Sequence, residues 1–523
     1  MTPFSRGKIS ELLAGLKPSP IEEVPESARV TVHAAVSRFA VLYERIRNAV
    51  DYKDEHLLRK AAILRILKRQ LVLEEDPALV AMHLIRELIA ARYLPNGTLP
   101  ESIIARVALV VRKFQAVTKA KVGTERHTEW LMGIVSAELE ELLNDPRQEK
   151  VLVNFLFEQL GERILVLGVD MDETSRRLQV YIACHRALYK ADDEMMGYKL
   201  VRAYHSAWIH PEDWIDRPQD MALQMIGIEQ SVQTQLANPM AQKFLHAVKV
   251  WAVPLSILRE ALLEKPEYAE RLLEKPDELH AAIGRIAERR YRISKGKLRR
   301  GTVRAMIYLF LTKILLALAL EIPFESLLYH AVNRIALLIN ILFPPVLMFL
   351  IGSLISVPGK ENIIRIQQSV DELLSIEGPK GKEIRIAKMR GGFGRFLFRL
   401  AYAATFLLTF GLIYFLLNLV GFTWVSSTIF VLFLSLVSFF AYRLRNAARE
   451  YVIVEQKVTF RSVVIDFFSI PVLRAGQWLS RSISRLNVFV FFFDFMIEAP
   501  FKIFLNVLEE WFAFMKEKKE ELQ

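Results

Sequence analysis

The chain has 523 residues, 52% of them hydrophobic, and a formal net charge of +11 from 69 Lys and Arg residues against 58 Asp and Glu residues. This length and apolar content accommodate a soluble domain beside a membrane domain. The one cysteine, Cys184, excludes an intramolecular disulfide framework and a multi-thiolate metal site.

The amino-terminal region is polar. Residues 1–25 hold four prolines among polar side chains, which is typical of a flexible tail, with room for one short helix at 9–16. No apolar core of signal-peptide length occurs in residues 1–20. We therefore expect membrane insertion to depend on internal segments.

Residues 26–300 repeat apolar side chains at three- and four-residue steps, which is the pattern of amphipathic helices. Asp76 followed by Pro77 is a helix start, because Asp caps free backbone N–H groups and Pro suits the first helical position. Residues 162–170 fit either a short strand or a helix connection. The pattern predicts an all-helical cytoplasmic domain at 26–300, possessing one or two subdomains, with helices at 30–50, 53–73, 76–93, 100–119, 128–143, 148–160, 173–190, 194–209, 219–236, 239–263 and 276–292.

A membrane domain is predicted at 301–450, because a helix that crosses the hydrocarbon core needs roughly 20 apolar residues. Lys313 lies near the centre of the first run and costs about 3 kcal/mol on an insertion scale. Each strongly apolar neighbour returns roughly 0.3–0.6 kcal/mol, so the run is still expected to insert. The predicted spans lie near 303–320, 335–357, 397–420 and 424–442.

The loops alternate in charge. Seven Lys and Arg residues lie at 289–300, eight at 360–395 and three at 443–449, whereas the other two loops hold one Arg between them. Basic loops stay on the cytoplasmic side. The alternation predicts a multi-pass protein of a bacterial-type inner (plasma) membrane with both termini cytoplasmic.

The segments between and after the spans have mixed patterns. Residues 375–388 read as a hairpin and residues 451–460 also alternate, so a small β element is expected in the cytoplasmic loops. Residues 451–523 are interpreted as an interfacial region of amphipathic helices with a charged tail. Within 487–514, a fifth span is disfavoured by a polar stripe of three charged side chains, Asp494, Glu498 and Lys502.

Two groups of residues are candidates for binding. The first group lies in the glycine-rich and basic segment 388–395, which precedes the amino end of a predicted helix. Backbone N–H groups at such an end attract anions such as lipid phosphate. The alternative is that this segment is a flexible basic linker without a binding function. These lipid- or anion-binding candidates are Lys388, Arg390, Gly391, Gly392, Gly394 and Arg395. The intramembrane or interfacial charge candidates are Lys313, Asp494, Glu498 and Lys502.

No residue pattern identifies a catalytic centre, a metal site or a cofactor. The positive charge at the predicted membrane surface favours anionic lipid headgroups as partners over nucleic acid, which is not expected. A cytoplasmic protein partner is expected to bind through residues 26–300.

The leading functional hypothesis is a scaffold or adaptor that presents the helical domain at the membrane. One alternative is a transporter or channel subunit, based on Lys313 and on Pro344-Pro345 in the second span. The predicted spans contain no acidic residue, and Glu321 and Glu325 stand at their outer edge, which counts against ion-coupled transport. The other alternative is a lipid-modifying enzyme that uses Asp494 and Glu498 or the glycine-rich segment.

Overall fold

The computed structural model describes residues 6–17, 25, 29–32, 41, 44, 54–329, 333–354, 358–385, 392–453, 460–485, 507, 511 and 514–515. These residues are mostly helical. The chain divides into two compact units. The first unit comprises residues 1–256, 372–385 and 491–523, and the second comprises residues 257–371 and 386–490.

The first unit is a helical assembly in which four helices begin at a residue whose side chain caps them: Asp76, Thr124, Asp172 and Asp192. The Asp76 carboxylate accepts a hydrogen bond from the Ala78 N–H at 2.9 Å, and Asp172 accepts one from Ser175 at 2.7 Å. These caps satisfy backbone donors that the first turn leaves free. The helices are α1 (Arg6–Leu16), α2 (Glu55–Leu73), α3 (Pro77–Ala90), α4 (Ser102–Lys119), α5 (Glu125–Leu143), α6 (Arg147–Leu160), α7 (Glu173–Tyr189), α8 (Asp193–Tyr204) and α9 (Pro218–Leu236). Helix α10 (Ala241–Glu264) begins in this unit, whose boundary falls at residue 256 within the helix.

A two-stranded parallel sheet corrects two predictions. Strand β1 (Ile164–Leu167) pairs with β2 (Lys382–Arg385), with Ile164 opposite Lys382. The region 26–300 therefore contains a strand and is not all-helical, and within the described residues 375–385 strand β2 pairs with β1 rather than in a hairpin. The prediction failed because parallel strands need a long connection, so the partner of β2 lies far back in the sequence.

The second unit is dominated by one long helix. Helix α12 (Pro276–Leu316) continues through a π-helical turn (Ala317–Glu321) into α13 (Ile322–Tyr329). At 1.5 Å per residue, this continuous rod is roughly 80 Å long. The predicted end near residue 292 is wrong, because the basic residues that follow are good helix formers and Gly296 and Gly301 are tolerated within the helix.

The prediction of four apolar helices is confirmed. Four helices of the described chain are long and apolar enough to cross a membrane, and they lie at Pro276–Leu327, Arg334–Ser353, Phe396–Leu419 and Trp424–Asn446. They correspond to α12–α13, α14 (Arg334–Leu354), α16 (Gly392–Leu419) and α17 (Trp424–Ala448). Helix α14 remains helical through Pro344 and Pro345.

Further helices complete this part of the chain. Short α11 (Ala269–Glu274) precedes α12, and α15 (Lys360–Leu374) follows α14. The Asn362 amide joins two segments, since its Nδ2 donates to the Tyr291 hydroxyl at 2.5 Å and its Oδ1 accepts from the Ile453 N–H at 2.9 Å. The described part of the alternating segment 451–460 is limited to residues 451–453 and 460.

Helix α18 (Phe460–Arg485) lies against α17. Gly476 makes this approach close: a Cβ atom there would stand 2.0 Å from the Ser435 carbonyl oxygen. The backbones of the two helices therefore meet without an intervening side chain. The predicted interfacial residues beyond 485 lie mostly outside the described residues.

Candidate functional site

A group of polar side chains is buried among the apolar helices of the second unit. Lys313, Glu321 and Asn340 have no exposed surface, and Glu325 and Ser426 expose 2% and 1%. Burial of ionisable groups in this setting is costly unless each has a partner. We call this group the buried polar cluster: Lys313, Glu321, Glu325, Asn340, Thr423 and Ser426.

The members come from three parts of the bundle: the long rod, α14 and the start of α17. Lys313 lies on α12, Glu321 ends the π-helical turn and Glu325 follows on α13. Asn340 lies on α14. Ser426 lies in the first turn of α17, where its backbone N–H donates to the Thr423 hydroxyl at 3.2 Å, so Thr423 caps the helix that carries it.

A tight connection fixes the start of α17 beside α14. Gly421 adopts a left-handed conformation with φ of 80°, and its carbonyl oxygen accepts a hydrogen bond from the Asn333 amide at 3.1 Å. The Asn333 Oδ1 in turn caps α14 through the Ile335 N–H at 3.1 Å. One asparagine therefore joins the two helix starts that carry Asn340 and Ser426.

The two carboxylates meet at one hydroxyl. The Ser426 Oγ lies 2.7 Å from Glu321 Oε1 and 2.6 Å from Glu325 Oε1. The Asn340 Nδ2 donates to the same Glu321 oxygen, and the Thr423 hydroxyl donates to Glu325 Oε1 at 3.0 Å. The cluster is therefore a connected network of hydrogen bonds between four segments.

Lys313 provides the positive charge of the cluster. Its Nζ stands 3.5 Å from Glu321 Oε2 and 4.7 Å from the centre of the Phe433 ring, whose face attracts a cation. Lys313 Nζ, Glu321 Oε2 and Asn340 Oδ1 form no hydrogen bond to any residue that the structure describes. A network with buried free donors and acceptors is only partly satisfied, which is costly for a purely structural element.

The start of α17 adds a favourable field for negative charge. A helix amino end carries a partial positive charge, and Glu321 and Glu325 both contact Ser426 in its first turn. Together with Lys313, this end can stabilise a carboxylate in a low-dielectric surrounding. The site therefore brings two carboxyl groups, one ammonium group and a helix amino end together.

The structure describes only some of the site residues that the sequence predicts. Lys313 is a member of the buried polar cluster, while Gly392, Gly394 and Arg395 belong to the first turn of α16. Lys388, Arg390 and Gly391 lie outside the described residues, as do Asp494, Glu498 and Lys502. The anion-binding prediction for the glycine-rich segment stays a prediction.

The sequence reasoning did not identify Glu321, Glu325, Asn340 and Ser426 as site residues. The sequence pattern places Glu321 and Glu325 at the outer edge of the first span, because the apolar run ends at residue 320. The structure continues the rod to Tyr329 and buries both carboxylates. The available signal was the spacing of the two glutamates, since residues four apart share one face of a helix.

A second buried ionic group lies in the first unit. Burial alone would raise the pKa of Glu149, but the hydrogen bond with His185 and the charge of Lys199 outweigh it and lower that pKa to about 2. Burial lowers the pKa of His185, although its Nδ1 lies 3.1 Å from Glu149 Oε1. The Lys199 Nζ is 2.9 Å from Glu149 and 3.2 Å from Glu141. Charges paired in this way are typical of a structural network.

Cys184 lies one residue before His185 on α7. Its thiol has no exposed surface, and burial raises its pKa well above the ordinary range for cysteine. A thiol held in its protonated form is a poor nucleophile. Cys184 therefore lacks the features of a reactive cysteine.

Comparison of the chain with known proteins found no matching family, no matching curated protein and no matching solved structure.

Proposed function

We propose that the protein is a membrane transport protein, as a transporter or channel subunit, in which the buried polar cluster carries the transported charge. One observation supports this proposal: two carboxyl groups, a lysine and their polar partners are buried together where three of the four apolar helices meet. Ionisable side chains in such a position are expensive and mark ion or proton pathways.

The cost of the cluster is the main reason for preferring transport. A buried ion pair often contributes less stability than apolar side chains of the same volume. A membrane anchor needs none of these charges, since apolar helices insert more readily without them. Acidic residues are also available for ion coupling, because Glu321 and Glu325 are buried beside Lys313.

We further propose the orientation that the basic loops predict. The basic residues at 289–300 and 443–449 would face the cytoplasm, with the short connection at residues 421–423 on the other side of an inner (plasma) membrane. The buried polar cluster would then lie toward the outer end of the bundle, since Thr423 and Ser426 follow that connection.

A scaffold or adaptor is the second candidate function. The first unit favours it, because this unit has an extensive apolar core of its own that includes Ile63, Leu84 and Trp208. A unit of this kind can present a binding surface to a cytoplasmic protein, while the basic loops contact anionic lipid headgroups. Copurification of a stoichiometric protein partner from mild detergent would support this function, and its loss on deletion of residues 26–295 would locate the surface.

The transport proposal is tested by reconstituting the full chain into liposomes on a solid-supported membrane. Currents are recorded after rapid changes of H⁺, Na⁺, K⁺ or Cl⁻ concentration. We expect the wild type to produce a current for one of these ions. We expect Lys313→Ala to reduce this current at least tenfold. Lys297→Ala is the matched control, since Lys297 is an exposed lysine on the same helix.

The controls decide how a negative result is interpreted. Size-exclusion profiles in detergent verify that each variant is folded and monodisperse. Absence of current for all four ions from folded wild-type protein would contradict the proposal. An equal current in Lys313→Ala would also contradict it, because the cluster could not then carry the charge.

A further inference from the structure

We infer that Glu321 and Glu325 share one exchangeable proton through Ser426, so that the ion bound by the buried polar cluster is H⁺. The inference rests on the proposed transport function, which it deepens by naming the ion. It depends on the number of protons that the hydrogen bonds of the cluster require.

The Ser426 hydroxyl has too few protons for its two short contacts. Its Oγ lies 2.7 Å from Glu321 Oε1 and 2.6 Å from Glu325 Oε1, and both distances are those of O–H···O hydrogen bonds. A serine hydroxyl donates one hydrogen bond and accepts others. If Ser426 donates to one carboxyl group, the other carboxyl group must donate to Ser426. One of the two glutamates is therefore protonated.

The neighbouring donors do not supply this proton. The Asn340 amide donates to Glu321 Oε1 and the Thr423 hydroxyl donates to Glu325 Oε1, so each carboxyl oxygen already accepts one further hydrogen bond. The missing proton has to be on a carboxyl oxygen.

The charge balance assigns this proton to Glu325. Lys313 lies within ion-pair distance of Glu321, and this pair is neutral when Glu321 is ionised. In the described part of the chain, Glu325 has no cationic partner within 4.0 Å. A protonated Glu325 leaves the cluster neutral, whereas an ionised Glu325 leaves one net negative charge among apolar helices. Two carboxyl groups that share one site keep one proton for the same reason.

The ionised state of Glu325 is also stabilised by its surroundings. The amino end of α17 carries Ser426, and its partial positive charge stabilises a carboxylate that contacts the first turn. The titratable side chains in the cluster are Lys313, Glu321 and Glu325, and the other elements contribute the neutral side chains of Asn340, Thr423 and Ser426. On release of the proton, Glu325 becomes a carboxylate and the cluster charge changes from zero to minus one.

Three buried polar atoms point to a second arrangement of the network. Lys313 Nζ, Glu321 Oε2 and Asn340 Oδ1 make no hydrogen bonds within the described residues, and their side chains have no exposed surface. Lys313 can form a closer ion pair when the cluster becomes negative, because its ammonium group still has free donors. The network can therefore form additional hydrogen bonds after the proton is released.

Infrared difference spectroscopy of the full chain in lipid nanodiscs tests the proton directly. Exposed carboxyl groups are ionised above about pH 6, so a protonated carboxyl band that persists there and disappears at higher pH reports a buried acid. We expect this band in the wild type and its loss in Glu325→Gln. Glu278→Gln is the control, because Glu278 is an exposed acid on α12 and should leave the band unchanged.

A second pair of variants covers the case in which Glu325→Gln does not fold. Ser426→Ala removes the bridging hydroxyl and should shift the band to a different frequency. Thr428→Val removes a hydroxyl on the same helix that contacts Tyr414 outside the cluster, so it should leave the band unchanged. A wild-type spectrum without such a band above pH 6 would overturn the proton assignment, as would a band that survives in Glu325→Gln or that keeps its frequency in Ser426→Ala.

The two proposals can fail separately. A pH-dependent carboxyl band without any ion current would leave the proton site standing and remove the transport function. A current driven by Na⁺, K⁺ or Cl⁻ but indifferent to the proton gradient would keep transport and overturn the proton assignment. If both proposals hold, the proton-driven current falls at least tenfold in Glu325→Gln and persists in Glu278→Gln.

Discussion

The Lys313 ammonium group and the Glu321 carboxylate stand 3.5 Å apart although both belong to one continuous helical rod. Eight residues of regular α-helix turn about 80° beyond two full turns, which would direct the two side chains to different faces. The π-helical turn at Ala317–Glu321 accommodates one extra residue and returns Glu321 to the face of Lys313.

The ion pair leads to a prediction for stability. We expect Lys313→Met to destabilise the second unit by about 3 kcal/mol, because it leaves the Glu321 charge buried without its partner. Adding Glu321→Gln should recover most of this loss, since the double variant buries neither charge. Denaturant unfolding in detergent measures both effects, and additive losses in the double variant would contradict the coupling.

The contact between α17 and α18 leads to a second prediction. Gly476→Ala places a methyl group against the Ser435 carbonyl oxygen and should cost about 1–3 kcal/mol, because the helices have to separate. Gly411→Ala is the matched control, since nothing lies within 4 Å of its added methyl group. Thermal unfolding in detergent should show a lower midpoint for Gly476→Ala alone. Equal midpoints would mean that the close approach is absent.

A third prediction concerns the connection before β2. Gly378 has φ of 66°, and a Cβ atom there would stand 2.8 Å from Arg163 Cζ and 2.7 Å from Gln159 Oε1. Gly378→Ala should displace Arg163, which donates to the Glu377 carbonyl, and so loosen the β1–β2 pair. We expect faster amide hydrogen exchange at residues 164–167 and 382–385.

Gly97→Ala separates backbone strain from the clash at Gly378. Gly97 has φ of 70°, but only the Thr31 methyl group, at 3.9 Å, lies near its added Cβ. The same unfavourable backbone conformation should therefore leave exchange in the two strands unchanged. Faster strand exchange in both variants would show that the Arg163 contact is not responsible.

The pH dependence of the first unit is a fourth prediction. Glu149 has a folded pKa of about 2, below its ordinary value of 4.5, so its contribution is present above pH 4.5 and is lost as the pH falls toward 2. The lowered pKa of His185 acts in the same direction, since the unfolded chain takes up this proton first as the pH falls below 6.5. Stability should therefore decrease from about pH 6.5 downward, by about 3 kcal/mol for Glu149.

Cys184 is a local reporter for this measurement, because its buried thiol reacts only when the surrounding helices open. Its labelling rate in the full chain, relative to the unfolded chain at the same pH, should rise as the pH falls. Glu149→Gln should flatten the part of this rise below pH 4.5. Glu129→Gln, which alters an exposed glutamate on α5, should leave it unchanged. A labelling rate independent of pH in the wild type would refute the prediction.

The apolar helices were predictable from sequence because insertion depends on residues that are local in the chain. Summed hydropathy located the four runs, and the cost of a charge marked Lys313 as a candidate. The helices of the first unit were likewise visible from their caps, as at Asp76. Each of these features depends on fewer than about 25 neighbouring residues.

The buried polar cluster and the β1–β2 pair depend on contacts that a local pattern does not contain. Glu321 reads as an edge residue until the π-helical turn returns it to the face of Lys313. Asn340 and Ser426 are ordinary residues in apolar runs, and only the packing of their helices brings them to the carboxylates. The parallel strands are separated by more than 200 residues, beyond the reach of alternation patterns.

The position of β2 has a consequence for the order of synthesis. Strand β1 is complete once residue 167 has been made, but its partner is encoded after the first two apolar helices. During translation the edge of β1 therefore stays unpaired while the first two apolar helices are produced, and the first unit can complete its sheet only afterwards. Any fragment that ends before residue 382 lacks this strand, so the first unit is completed only after the first two apolar helices have been synthesised.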